Sequence, residues 1–212
     1  KLYEQYLQDL GKISSTVKQS VKTHPEAMYN AALVYQYLGV MEESDIKELI
    51  ASKPACFQTD LLKPIMEQLG KEVELEALRA PGKDFTDFKM ATPTGAMKSL
   101  SSFVKNNKLT LVDFWASWCG PCRKEMPHVK KLYDDFHSKG LEIVGVSFDE
   151  SKEAWTGAIA SMGLKWPQLS DLKGWQNEAG QLYGITSIPA TLLIDKQGKI
   201  VAFGLRGAEL EA

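Results

Sequence analysis

Three cysteines in 212 residues are too few for the disulfide framework that staples small secreted scaffolds. No run of eighteen apolar residues exists, so nothing in the sequence reads as a helix crossing a bilayer. The formal net charge is only −2, which points to neither nucleic acid nor an anionic membrane surface as a partner. Histidine is equally scarce: His24, His128 and His137 read as surface or capping residues. The chain starts at Lys1 inside a helical pattern without an initiator methionine, which suits removal of a signal peptide, lipid anchor or upstream domain. What remains is ordinary for a globular protein of one or two domains, with 44 % hydrophobic and 25 % charged residues.

Two of the three cysteines stand together in Trp118-Cys119-Gly120-Pro121-Cys122. Leu109 to Trp115 is a short apolar run of the kind found in buried strands, and the chain then turns through Ala116-Ser117-Trp118. Cys119 is placed where a helix begins. A helix N-terminus offers unpaired backbone N–H groups and the positive end of the macrodipole, both of which stabilise a thiolate. The Cys119 thiol is therefore expected to titrate toward ~7 and to act as a nucleophile, with Cys122 one turn on as the resolving thiol. A zinc site would need two further ligands. The sequence has no second CxxC, and Cys56 lies far away, so no metal is expected.

The motif sits in a longer pattern. VDFWASWCGPCRKEMP, followed some seventy residues later by SIPATLLID and then GKI, resembles the thioredoxin superfamily. Within it the chain resembles the TlpA- and ResA-like branch of envelope thiol–disulfide oxidoreductases. The resemblance covers roughly Ala80 to the C-terminus. It implies an α/β thioredoxin-like fold, a mixed central sheet with helices on both faces, preceded by an all-α segment over residues 1–79. The redox domain then spans 80–212, with a closing C-terminal helix that begins near Ala208 and is cut short.

Local patterns agree with this division. Tyr3, Leu7, Leu10, Val17 and Val21 fall three and four apart on one helical stripe, interrupted by Ser14, and read as core. Pro25 suits the first turn of a second helix ending near Gly39, Ser44–Ser52 a short third, and Thr59 the N-cap of a fourth. Ala80-Pro81-Gly82-Lys83 marks the boundary, and Asp84–Phe88 resembles the first strand of the redox domain. Strands follow at 109–115, 141–148, 190–195 and 199–204, with helices at 120–138, near 151–162 and near 175–183. Lys196-Gln197-Gly198 signals a hairpin between the last two strands.

The resemblance also assigns roles. Asp113, inside an apolar strand, matches the buried carboxyl that accepts or relays the proton of the second cysteine, and burial would raise its pKa toward the useful range. Gly145 stands where thioredoxin carries a lysine near that carboxyl, so Asp113 is expected to lack its cationic neighbour. Pro189 matches the cis-proline that packs opposite the cysteines, exposing the Ile188 backbone for pairing with an extended substrate. Trp118 is expected to contact partner proteins and Trp115 to pack in the core. Gly120 and Pro121 tune redox poise, Pro127 matches a helix kink, and Cys56 reads as a small buried hydrophobe.

Strong oxidants of this superfamily carry a histidine between the cysteines, which stabilises the reduced thiolate. Gly120-Pro121 lacks that cation, so reductase is the expected direction. The implied partners are protein thiols and disulfides, with a membrane thiol electron donor, in the cell envelope or periplasm. No cofactor beyond the Cys119–Cys122 disulfide is expected. A peroxiredoxin-like peroxidase is disfavoured, because Val112 and Ala116 occupy the positions of its proline and hydroxyl residue. A copper-delivery module is disfavoured because Ser187-Ile188 supplies no histidine, and the helical segment could serve as a client-binding part.

Overall fold

The computed structural model describes residues 1–210. The chain divides into two compact units, Lys1–Glu74 and Leu75–Ala212.

The first unit is helical: α1 (Leu2–Thr23), α2 (Met28–Tyr37), α3 (Glu43–Ser52) and most of α4 (Lys63–Leu78), which carries the chain into the second unit. Its core gathers Val17, Val21, Val34, Leu49, Phe57 and Leu62 around the buried thiol of Cys56, whose pKa burial raises. The apolar stripe of α1 is only half buried. Val17 and Val21 are core, whereas Tyr3 and Leu7 are exposed. Ser14, the residue that breaks the stripe, is fully buried instead: its hydroxyl donates to Asp45 (2.7 Å) and accepts from the Glu42 N–H (2.8 Å). The Lys18 ammonium and this hydroxyl hold the Asp45 carboxyl below its ordinary pKa.

Two helix starts lie later than the sequence suggests. Pro25 falls in the turn before α2, where the buried Asn30 side chain donates to the His24 carbonyl (2.7 Å) and stitches the corner. Thr59 opens a turn rather than the helix. Pro64 has no N–H with which to continue the ladder, so α4 is established only from Lys63, with the proline in its first turn. Gly39 does not end α2 but lies within the 3₁₀ turn Leu38–Val40.

In the second unit, β1 (Lys89–Ala91) and β2 (Met97–Ser99) form an antiparallel hairpin, and α5 (Leu100–Val104) follows. The five-stranded sheet comprises β3 (Leu109–Trp115), β4 (Leu141–Ser147), β5 (Gln168–Leu169), β6 (Ala190–Asp195) and β7 (Ile200–Phe203), in the order β5-β4-β3-β6-β7. β3, β4 and β5 run parallel; β6 and β7 pair antiparallel, so the sheet is mixed. The helices are α6 (Gly120–Phe136), α7 (Lys152–Met162) and the short α8 (Glu178–Leu182). Thr110 to Trp115 are all buried, which requires cover on both faces of the central strand.

Asp84–Phe88 is not the first strand. This segment makes one isolated antiparallel bridge, Asp84 with Lys199, and the Phe85 N–H donates to the Gly198 carbonyl (2.8 Å). The Tyr183 hydroxyl donates to the Thr86 carbonyl (2.6 Å) and accepts the Thr86 N–H (2.9 Å). Regular pairing starts at Lys89. The helix expected near 175–183 is broken into the 3₁₀ turn Gly174–Gln176 and α8, because Asn177 intervenes as N-cap, accepting from Gly180 N–H (2.9 Å). Helix α6 runs on through Pro127. Gly207–Leu210 is a 3₁₀ turn, and the continuation of the expected closing helix lies outside the described residues.

Candidate active site

β3 delivers the chain to the redox motif. Its last residues lead into the turn Ala116–Trp118, which Asp149 secures from below. That buried carboxylate accepts from the Ser117 N–H (3.0 Å), the Ser117 hydroxyl and the Ser147 hydroxyl (2.6 Å). A carboxylate without such donors would be costly to bury, so Asp149 and the Ser117 turn specify one another.

Cys119 is the N-cap of α6 and is disulfide-bonded to Cys122. Its sulfur accepts the Cys122 backbone N–H at 3.1 Å, the bond that an N-cap side chain ordinarily makes. With that disulfide reduced, the same donor and the end of a 17-residue helix favour the Cys119 thiolate over the thiol. The pair is not symmetrical in access to solvent, with Cys119 4 % and Cys122 1 % exposed.

Opposite the disulfide, the Ile188–Pro189 peptide is cis, and the Ile188 carbonyl oxygen lies 3.8 Å from Cys119 Sγ. The loop is held by the segment after β7. Arg206 donates to the Pro189 carbonyl, Thr191 Oγ1 donates to the Leu205 carbonyl (2.8 Å), and the Gly207 N–H donates to Glu125 on α6.

Asp113 is buried at 2 % exposure in the middle of β3, with Gly145 beside it on β4 and Thr191 on β6. Its Oδ2 has no hydrogen-bond partner among the described residues. Burial first, and the negative Glu125 second, raise its pKa from 3.8 to about 7. A carboxyl with that value exchanges a proton readily near neutrality. In the sequence Glu125 is marked only by its spacing of three from Cys122, one helical turn.

Trp118 is 55 % exposed beside the disulfide, while Trp115 is fully buried. Trp118 packs 6.1 Å from Trp175, 43 % exposed, which in turn packs 5.2 Å from Phe148. Together with Ser117, Glu150 and Ser151 these rings line a cleft adjoining the motif. Trp175 has no motif of its own. The Asn177 amide places its loop by donating to the Ser147 carbonyl (3.2 Å) and Asp171 (3.0 Å). The structure thus gathers Cys119, Cys122, Gly120, Pro121, Trp118, Ile188 and Pro189 at one end of the sheet, with Asp113 within reach of the charge on Glu125.

Residues 81–203 match the AhpC/TSA family. The chain belongs to that family. Its fold is thioredoxin-like and is similar to two solved structures from Bacteroides. The thioredoxin domain of a thiol-disulfide oxidoreductase from Bacteroides vulgatus is 37 % identical with a TM-score of 0.57, covering 62 % of this chain and 92 % of that one. A thiol-disulfide oxidoreductase from Bacteroides fragilis is 32 % identical with a TM-score of 0.57, covering 61 % and 95 %. Among curated proteins, the thiol-disulfide oxidoreductase ResA of Bacillus thuringiensis is 34 % identical over 120 residues, 57 % of this chain. The thiol:disulfide interchange protein HelX of Rhodobacter capsulatus is 36 % identical over 98 residues. The chain spans 66 % of the length of that ResA and 52 % of HelX. AhpC/TSA membership does not by itself select peroxide chemistry: Val112 and Ala116 are buried apolar side chains that offer Cys119 no hydroxyl.

Proposed function

We propose that this chain is a protein thiol–disulfide oxidoreductase working in the reducing direction. The observation that carries the reading is the Cys119–Cys122 disulfide at the N-terminus of α6, facing the Ile188 carbonyl of the cis-proline loop. The Cys119 thiolate attacks one sulfur of a client disulfide; a mixed disulfide forms and the client's other sulfur leaves as a thiolate. Cys122 gives its proton to Asp113 and attacks Cys119 Sγ, which releases the client's second thiol and forms the Cys119–Cys122 disulfide. Two electrons from a dithiol donor reset the pair. No cofactor takes part.

The client's extended chain pairs with the Ile188 backbone, and Trp118 and Trp175 provide apolar contact around the attacked bond. Gly120 and Pro121 place no cation beside the thiolate, so the disulfide is comparatively stable and the dithiol is the better donor. The resemblance of the redox motif and its surroundings to the envelope branch of the thioredoxin superfamily supports an envelope or periplasmic setting, with a membrane thiol as electron source.

The equilibrium reduction potential of the pair, measured against a defined glutathione or dithiothreitol buffer, tests the direction. A value near that of thioredoxin, about −270 mV, is expected. A value near that of DsbA, about −120 mV, would recast the protein as an oxidant.

A further inference from the structure

Four residues at one level of the sheet share a face: Gln168 on β5, Gly145 on β4, Asp113 on β3 and Thr191 on β6, each in register with the next. Gly145 has no side chain, and the Gln168 carboxamide fills the space above it. A Cβ at Gly145 would lie 2.2 Å from Gln168 Oε1 and 2.7 Å from Nε2. The amide group of Gln168 is therefore carried one strand inward, to the column of the sheet that adjoins Asp113.

Its orientation is decided by a second contact. The Trp115 indole N–H, which can only donate, bonds Gln168 Oε1 at 3.0 Å. The NH₂ is then the free end, and Gln168 Nε2 is buried with no hydrogen-bond partner among the described residues. Asp113 Oδ2, an acceptor on the neighbouring strand, is also buried with none. Unmatched buried polar atoms are few in native proteins and each costs on the order of 1–3 kcal/mol. Here a donor and an acceptor left over on adjacent columns of one sheet face complement each other.

We propose that Gln168 is a positioning residue for the resolving step: when Asp113 is ionised, the Gln168 NH₂ donates to its carboxylate across the gap left by Gly145. This rests on the proposed role of Asp113 as proton acceptor for Cys122. Gln168 thereby supplies, as a neutral donor, the support that a lysine at position 145 would have given as a cation. A neutral donor stabilises the carboxylate less than a cation does and leaves its pKa close to neutrality. The other groups facing Asp113 fit that role. Glu125 on α6 disfavours the carboxylate, Gly145 contributes nothing, and the Thr191 hydroxyl is committed to the Leu205 carbonyl.

The direct test is an NMR titration of the wild-type oxidised protein, following the Gln168 side-chain NH₂ resonances and the Asp113 carboxyl carbon. The NH₂ resonances are expected to move with the same midpoint as Asp113, and to stop moving in Asp113→Asn. In the volume-matched Gln168→Met, the Asp113 midpoint should rise by about one pH unit, the size of one lost hydrogen bond to a charge. The alkaline shift should reappear in the pH profile of client-disulfide reduction. Gln168 NH₂ resonances that ignore the Asp113 titration would overturn the proposal, and this readout needs neither variant nor activity. If the NH₂ follows Asp113 while the chain exchanges no disulfides, the functional reading fails and the Gln168–Asp113 pairing stands.

Discussion

Cys119→Ser is expected to reduce client-disulfide reduction by at least about a thousandfold, to the uncatalysed level. A serine hydroxyl at the N-cap keeps the helix capped, so the fold is retained. It cannot be an alkoxide near neutral pH, however favourable the end of α6, and so cannot attack sulfur. The loss belongs to chemistry rather than stability, because Cys119 is the only sulfur placed against the Ile188 carbonyl among the described residues. Insulin-disulfide turnover together with a thermal melt separates the two. Activity within tenfold of wild type, in a folded variant, would move the nucleophile elsewhere.

Asp113→Asn is expected to stabilise the oxidised protein at pH 8 while slowing turnover. The folded-state pKa, about 7, lies above the ordinary 3.8. Between those values the folded chain holds a proton that the unfolded chain has released, so stability falls as pH rises. Below pH ~4 both states are protonated and the carboxyl costs nothing; above the folded pKa the full cost is present. At 1.36 kcal/mol per pH unit this is on the order of 4 kcal/mol. Asparagine cannot ionise. Its advantage in urea melts should therefore be small at pH 4, grow through pH 5–7, and level off above. A pH-independent difference would mean that Asp113 does not titrate with a raised pKa. The cost of turnover should be about a hundredfold near pH 7, the size of a lost proton acceptor.

These two residues were legible because their signals are local. An apolar run, a turn and CxxC at a helix start define strand, N-cap and nucleophile within fifteen residues, and an aspartate inside that run stands out. Pro189 was legible through the resemblance of SIPATLLID to the superfamily pattern. The residues that complete the site were not. Glu125, Asp149, Gln168 and Trp175 lie on four different segments; Glu125 offers only its one-turn spacing from Cys122, and the other three carry no pattern until the sheet order and register are known. Gly145 shows the difference: its lack of a lysine was readable, but that Gln168 reaches over to occupy the space depends on a two-residue strand, β5, too short to announce itself. The β1–β2 hairpin escaped for the same reason, its strands being three residues each. In the helical unit, periodicity located α1 but could not tell its buried end from its exposed one. Tyr3 and Leu7 continue the stripe of Val17 and Val21 with nothing in the spacing to separate them.

The most direct test of the central claim is to trap the intermediate. In Cys122→Ser the attack by Cys119 proceeds, but resolution cannot, so incubation of the reduced variant with a disulfide-bonded protein should accumulate a one-to-one adduct. The adduct should be cleaved by dithiothreitol, and mass spectrometry should place its bond at Cys119. Wild type should show no such adduct, and Cys119→Ser/Cys122→Ser should form none. An adduct through Cys56, or none with any protein disulfide while the variant remains folded, would contradict the account.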